Sequence, residues 1–421
     1  MTTDRAGENL SRRHLLYGMG AAGFAGLGSG ALVGAAVGGG SGTSGAEAAL
    51  SAARSRGGPL DGVPAALRTP TPCHVHLVAL DLGESSGPEE VRSAARTALP
   101  VLSEEAREIQ EHGPASRAQG SASAGLRPAS LGVSLGLGSG LLRKAGLAER
   151  VPPALADLPA FTSDRLTPSW CGGDLLVHVG AEDALVVSSA IEHLLGVLDD
   201  DVRVRWSLPG FQRSAAVASD PADTPRNLMG QIDGTVNPEP DQTLFTSQVL
   251  ASHTEPGFTW MAGGSYVVVR RIRMLLRDWS AIDLSSREAV IGRHLSNGAP
   301  LGGQEEGSRP DLAARNEDGS PMIPANAHIR LTSSENTLGA RMLRRGFNFD
   351  LGWDSDGVRQ AGLLFTAWQA DPASGFIPVQ RAMDEGEDAL NPFIRQEGSA
   401  LFAVPQVGGR QTWVGQELFG E

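Results

Sequence analysis

Apolar and polar positions along the chain alternate with two periods, and the change from one to the other marks out elements. Cys73-His74-Val75-His76-Leu77-Val78-Ala79-Leu80 reads as a first strand. Residues 88–112 open on Pro88, carry Glu and Arg throughout, and read as a helix. Ser130 to Leu137 alternates apolar with small residues and reads as a strand. Asp174 to Gly180 is another strand and Glu182 to Leu198 a second helix. Val202-Arg203-Val204-Arg205-Trp206 has the period of two expected of a half-buried strand.

The order then recurs. Ser265 to Leu275 reads as a strand with alternating arginines, 285–297 as a helix, and His328-Ile329-Arg330-Leu331 as a short strand. Gly362 to Trp368 is a strand, 374–386 a helix and Ala400 to Val404 a last strand. Each half reads β-α-β-β-α-β, the ferredoxin-like pattern. The expected fold is α+β, with two ferredoxin-like half-domains over 71–225 and 226–421. Residues 207–262 and 298–327 are rich in Gly, Pro, Asn and Asp. Loops that long inside a compact protein are commonly functional or cover a cofactor.

Residues 1–48 read as an address. Ser11-Arg12-Arg13-His14-Leu15-Leu16 opens an apolar, Gly/Ala-rich run that reaches about Val37. Paired arginines before a weakly hydrophobic stretch are a twin-arginine export signal. The glycines lower its hydrophobicity below that of a membrane anchor, though an uncleaved anchor is the competing reading. Ala46-Glu47-Ala48 offers a cleavage site, and 49–70, rich in Ala, Arg, Gly and Pro, reads as a mobile lead-in. The expectation is a periplasmic or extracellular protein that engages the twin-arginine machinery and keeps no stable membrane anchor. This route carries proteins already folded, which suits a cofactor inserted before export.

Composition narrows the partners. With 41% hydrophobic and 20% charged residues, the 421-residue chain can bury a core. A net charge of −13 argues against nucleic acid or an anionic membrane as partner. Cys73 and Cys171 are too few for a disulfide framework, although one bridge between them is open in an oxidising compartment. No Cys/His cluster has zinc spacing.

Three stretches carry candidate chemistry. In Asn227-Leu228-Met229-Gly230-Gln231-Ile232-Asp233-Gly234-Thr235-Val236-Asn237-Pro238, glycines flank an aspartate, so backbone can approach a flat ligand closely. Taken alone, Asp-Gly is also a common surface turn. His328 in Ala327-His328-Ile329-Arg330-Leu331 is by itself a core histidine as readily as a ligand. Leu343-Arg344-Arg345-Gly346-Phe347-Asn348-Phe349 is a solvated edge or a cationic arm over a cofactor.

Together these stretches resemble the dye-decolourising peroxidases. Gly230-Gln231-Ile232-Asp233-Gly234 matches that family's G-x-x-D-G signature. The segment around His328 is similar to its proximal-histidine segment, and that around Arg344 to its distal-arginine segment. The order and spacing agree with the twin-arginine-exported branch. The resemblance implies one haem b per chain, bound in the C-terminal half. No Cys-x-x-Cys-His occurs, so attachment through thioethers is excluded. By resemblance, His328 is the iron ligand, and Asp283, Glu288 and Glu387 are unranked candidates for its hydrogen-bond acceptor. Asp233 is the distal acid and base. Arg344 is the distal cation, with Arg345 as the alternative. Gly234, Thr235 and Val236 lie along the haem face. Ser333-Ser334-Glu335 follow where relatives contact the porphyrin edge, although their letters depart from the commoner run. Arg330 pairs with a propionate or faces outward.

The substrates implied are hydrogen peroxide and a small-molecule or dye donor. Bulky donors are oxidised through surface Trp or Tyr, and Trp353, between Gly and Asp, is the tryptophan expected to be exposed. A homo-oligomer is compatible with this reading. The competing readings are a haem deferrochelatase or iron-uptake component on the same fold, and a non-enzymatic haem carrier.

Overall fold

Stretches that are apolar on one or both faces become the strands of a single sheet. They are β1 (His74–Leu82), β2 (Gly132–Gly138), β3 (Leu175–Ala181), β4 (Val202–Phe211), β5 (Ser265–Met274), β6 (Leu343–Trp353), β7 (Arg359–Gln369) and β8 (Ile394–Val404). The computed structural model describes residues 63–67, 71–83, 87–117, 120–199, 202–214, 217, 223–238, 244–408 and 411–420. Residues 1–48, expected from the sequence to be an export leader with its cleavage site, lie outside the described residues.

Neighbouring strands are antiparallel, in the cyclic order β1-β3-β2-β8-β5-β7-β6-β4, and β4 returns to β1 to close a barrel. Within it the two halves keep the ferredoxin-like orders β4-β1-β3-β2 and β8-β5-β7-β6. Two short seams join them: Leu137 and Gly138 against Ala403 and Phe402, and Phe211 against Asn348. The α+β expectation therefore holds, with the half-sheets sharing one barrel.

Side-chain alternation builds two cores from the same strands. Val75, Leu77 and Ala79 of β1 face inward, where they meet Trp206, Phe347, Leu364, Trp368 and Phe402. Val78 and Leu80 face outward, with Val133, Leu135, Val177 and Val179, beneath two helices. α1 (Pro88–His112) starts on a proline whose φ is already helical, with Glu89 and Glu90 favoured by the helix dipole. Its buried stripe runs through Val91, Ala95, Leu99, Leu102, Ala106 and Ile109. α2 (Ala184–Gly196) is capped by Asp183, whose carboxylate accepts from the Leu185 and Val186 amides.

The C-terminal half breaks the corresponding first helix. α3 (Leu276–Ala281) and α4 (Leu284–Ile291) are followed by a long irregular run, the single turn α5 (His328–Leu331), and β6. α6 (Phe376–Glu385) completes the outer layer. The helix expected over 285–297 stops at Gly292, whose φ of +87° ends it, and a Cβ there would lie 2.7 Å from Ile329.

Three further expectations are corrected. His328–Leu331 is helical, not a strand; four residues are too short for periodicity to decide. The second strand of this half is instead β6, in which Leu343, Arg345, Phe347 and Phe349 alternate inward with Arg344, Gly346 and Asn348. The lead-in is not mobile throughout, since Val63, Ala66 and Leu67 are buried against the barrel interior; 49–62 and 68–70 lie outside the described residues. The bridge left open between Cys73 and Cys171 is not formed: the Cys73 thiol donates to Glu182, and that of Cys171 to the Thr167 carbonyl. Among the described residues, no helix is long and apolar enough to cross a membrane.

Candidate functional site

The outer face of the C-terminal sheet packs beside the break in its first helix. Leu363 and Met274 lie there with Met229, Trp279 and Ile291, flanked by half-buried Ile272, Ile329 and Phe365. This is an apolar bed, and three segments bring polar chemistry to it.

The first is the stretch around Asp233. A tight turn closes by the Asn227 amide on the Gln231 carbonyl at 2.9 Å, with Gly230 at φ +82°. β6 holds this loop: Asn348 Oδ1 accepts from the Leu228 amide at 2.9 Å. Asp233 then lies over Gly346, where a Cβ would stand 3.5 Å from its Oδ2. Asn227 Nδ2 donates to Asp233 Oδ2 at 3.2 Å and fixes the carboxylate plane. A small recess lined by Gln212, Arg226, Asn227, Asn348 and Leu363 opens beside it.

The second is β6. Arg344 and Arg345 are neighbours on a strand and therefore point to opposite faces. Arg344 faces the pocket, with its Nη1 3.9 Å from Asp233 Oδ1. That is too long for a direct hydrogen bond, so both groups keep free positions toward the space between them. Arg344 Nη2 donates to the Thr235 carbonyl at 2.7 Å, and Asn237 grips the Arg344 peptide at both its N–H (3.0 Å) and its carbonyl (2.8 Å). Arg345 turns into the barrel and donates to Thr71 Oγ1 and the Leu67 carbonyl.

The third is α5. His328 Nδ1 lies 2.7 Å from Asp388 Oδ2, and Asp388 is buried while the imidazole is partly open. With Nδ1 engaged, Nε2 is the nitrogen left for a ligand. Burial works against protonation of His328, but the charge and hydrogen bond of Asp388 outweigh it and raise the pKa above the ordinary histidine value. Both pocket charges reach His328: Arg344 works against its protonation and Asp233 favours it.

The other expected residues are placed as follows. Gly234 has φ +133°, and a Cβ there would press on Thr224 at 3.2 Å. Thr235 Oγ1 donates to Glu306 at 2.8 Å, and Thr224 Oγ1 to the same oxygen at 2.7 Å. Val236 is exposed with φ +61°, a strained conformation for a β-branched residue. Arg330, two residues along a helix from His328, faces elsewhere and donates to the Leu312, Ile323 and Pro324 carbonyls. Ser333 and Ser334 form the turn after α5, the Ser333 hydroxyl being buried without a partner. Glu335 points outward to Arg309 at 3.0 Å. Trp353 is exposed, under Arg359, whereas the other tryptophans are buried or half-buried.

Sequence reasoning missed four residues. Asp388, not Asp283, Glu288 or Glu387, accepts from His328. Asp283 caps α4, Glu288 binds the Leu295 amide and His294, and Glu387 is turned to solvent. Asn227, Asn237 and Glu306, which hold the pocket loop, look like ordinary loop residues in the sequence.

The donor set suits haem. It combines one histidine whose Nε2 is left for a ligand and whose Nδ1 is backed by a carboxylate, an adjacent apolar cluster, and an acid and a cation that face each other.

Comparisons with known proteins agree with this geometry. Residues 64–212 match the N-terminal family model of the Dyp-type peroxidases and 224–408 the C-terminal one. The chain is 50% identical over 426 residues to a dye-decolorizing peroxidase of Thermobifida fusca, covering 99% of this chain and 98% of that protein. It is 34% identical over 303 residues to the deferrochelatase of Escherichia coli, covering 70% of each. Ferric DtpA of Streptomyces lividans superposes with a TM-score of 0.77 at 44% identity, covering 84% of this chain and 94% of that one.

Proposed function

Because the chain belongs to the Dyp-type peroxidase family, we propose that His328, Asp233 and Arg344 are respectively the haem ligand, the peroxide acid-base group and the distal cation of a haem peroxidase. One observation carries this reading: Arg344 faces Asp233 at 3.9 Å, and His328, which feels the charge of both, has a buried carboxylate behind it. The chain is a haem-dependent peroxidase, and its substrates are hydrogen peroxide and an electron donor.

Haem, when bound, supplies the redox-active iron at which the peroxide bond is broken and through which a donor is oxidised. The protein's part is positioning and proton transfer. His328 presents Nε2 to the iron while Nδ1–H donates to Asp388, which fixes the ring and increases its basicity. Asp233 takes the proton from one peroxide oxygen and returns it to the other, the role open to a carboxylate within reach of both. Asn227 occupies Oδ2, so Oδ1, on the Arg344 side, is the oxygen that works. The Arg344 guanidinium stabilises negative charge on the departing oxygen.

Gly234, Thr235 and Val236 then border the distal face. The relative that matches nearly the whole chain at half identity has the peroxidase name, and those at a third identity the deferrochelatase name. Peroxide reduction is therefore the reading, with iron release as the alternative. Dyes and phenols are the proposed donors, with exposed Trp353 as the proposed contact. Export by the twin-arginine route rests on Arg12 and Arg13, and an Arg12→Lys, Arg13→Lys double variant is expected to stay in the cytoplasm. Titrating haem into the wild type and into His328→Ala tests the ligand: the wild type gives a sharp Soret band, and an identical spectrum from the variant would refute the assignment.

A further inference from the structure

Arg345 has no place in the pocket, yet it occupies the strand position beside Arg344. We propose that Val63–Leu67 and Thr71 plug the barrel end and, through Arg345, position Arg344. This rests on Arg344 being the distal cation.

The plug is built into the barrel. Val63, Ala66 and Leu67 are buried with Leu343, Phe347 and Trp368 of the interior, and the Ala66 amide donates to Ser134 Oγ on β2 at 3.0 Å. Arg345 is 4% exposed, and its Nε is buried with no hydrogen-bond partner among the described residues. Burial lowers its pKa to about 10, which leaves it charged at neutral pH. The acceptors that hold this charge come from the plug: Thr71 Oγ1 at 2.9 Å from Nη1 and the Leu67 carbonyl at 3.0 Å from Nη2. A buried guanidinium deprived of acceptors is strongly unfavourable, so plug and strand are tied to each other.

The tie reaches the pocket through one peptide bond. Successive strand residues point to opposite faces, so the twist that keeps Arg345 inward sets the direction of Arg344 outward. Thr366 Oγ1 donates to the Arg345 carbonyl at 2.9 Å on the inner side, while Asn237 grips the Arg344 peptide on the outer side. The strand is thus clamped on both faces at the residue pair where Arg344 meets Asp233. Arg345 is a positioning residue, and the N-terminal segment is part of the catalytic scaffold.

The test uses the full chain loaded with haem. Thr71→Val removes one acceptor at nearly constant size, Arg345→Met removes the charge, and Arg345→Lys keeps it. Arg344→Leu is the reference. Two readouts are compared: the second-order rate with hydrogen peroxide, and the affinity for fluoride, an anion that a nearby guanidinium helps to hold. Arg344→Leu lowers both. Thr71→Val is expected to lower both by about threefold and Arg345→Met by about tenfold, since small displacements are costly in a preorganised site. Arg345→Lys recovers part of the loss, and KM for the donor is unchanged. Should Arg345→Met not fold, Thr71→Val decides alone. Wild-type peroxide rates and fluoride affinity in the plug variants, with both lowered in Arg344→Leu, would overturn the proposal and leave Arg345 a packing residue. No effect in Arg344→Leu itself would overturn the assignment of the pocket on which the proposal stands.

Discussion

The two halves use the same strand order for opposite ends. In the N-terminal half, α1 and α2 seal the outer face of the sheet with a continuous apolar layer. In the C-terminal half, the element in the place of α1 is broken into α3, α4 and α5, and the same face carries a smaller apolar cluster in which Ile329, next to His328, takes part. The buried strand histidines of the N-terminal half contrast with His328, although His193 of α2 also has a carboxylate partner in Glu105. His76 and His178 lie in N-terminal strands with no carboxylate beside them, and burial lowers their pKa to about 4. His328 stands at the break against buried Asp388 and is raised instead. A repeated frame thus becomes a site where its covering helix is interrupted and a charge partner is supplied.

The largest expected effect that sharpens this contrast is in the pocket. Asp233→Asn keeps the shape and the Asn227 contact but removes the base, and peroxide cleavage is expected to slow by about 10²- to 10⁴-fold in rapid mixing, with haem retained. Asp388→Asn removes the charge behind His328 and is expected to weaken haem retention by about 10- to 100-fold, measured by transfer to apomyoglobin. The N-terminal half predicts the reverse. Leu102, fully buried on the inner face of α1, is expected to cost about 2–5 kcal/mol on change to Ala, read by urea unfolding, with the peroxide rate per bound haem unchanged.

The smallest effect concerns pH. His76 and His178 bind fewer protons folded than unfolded between about pH 4 and 6.5. Their contribution to stability is therefore full above pH 6.5, falls as the pH drops through that window, and is constant below it. Each accounts for a loss on the order of 2–3 kcal/mol across the window. Unfolding of His178→Gln is expected to depend less on pH there than that of the wild type; an equally steep dependence would show that the buried ring is not the source.

The N-terminal half was the more legible in sequence, because regular strands and long helices declare their periods. The C-terminal half was less so where function broke the pattern. A four-residue apolar segment around His328 has too few positions to separate strand from helix. The alternation in Leu343 to Phe349 was present in the letters, but paired arginines drew attention to charge before period. Glu387 and Asp388 are adjacent acids, and only the turn after α6, with Glu387 at φ +51°, decides which of them faces inward. Asn227 and Asn237 act through hydrogen bonds that no spacing reveals.

Asp233 and Arg344 would act on hydrogen peroxide at a haem whose iron His328 would hold. The most direct measurement is rapid mixing of hydrogen peroxide with haem-loaded wild type, Asp233→Asn and Arg344→Leu, followed at the Soret band. The account predicts a fast spectral change in the wild type that is slowed by at least about 100-fold in both variants at equal haem content. Wild-type kinetics in both would contradict it.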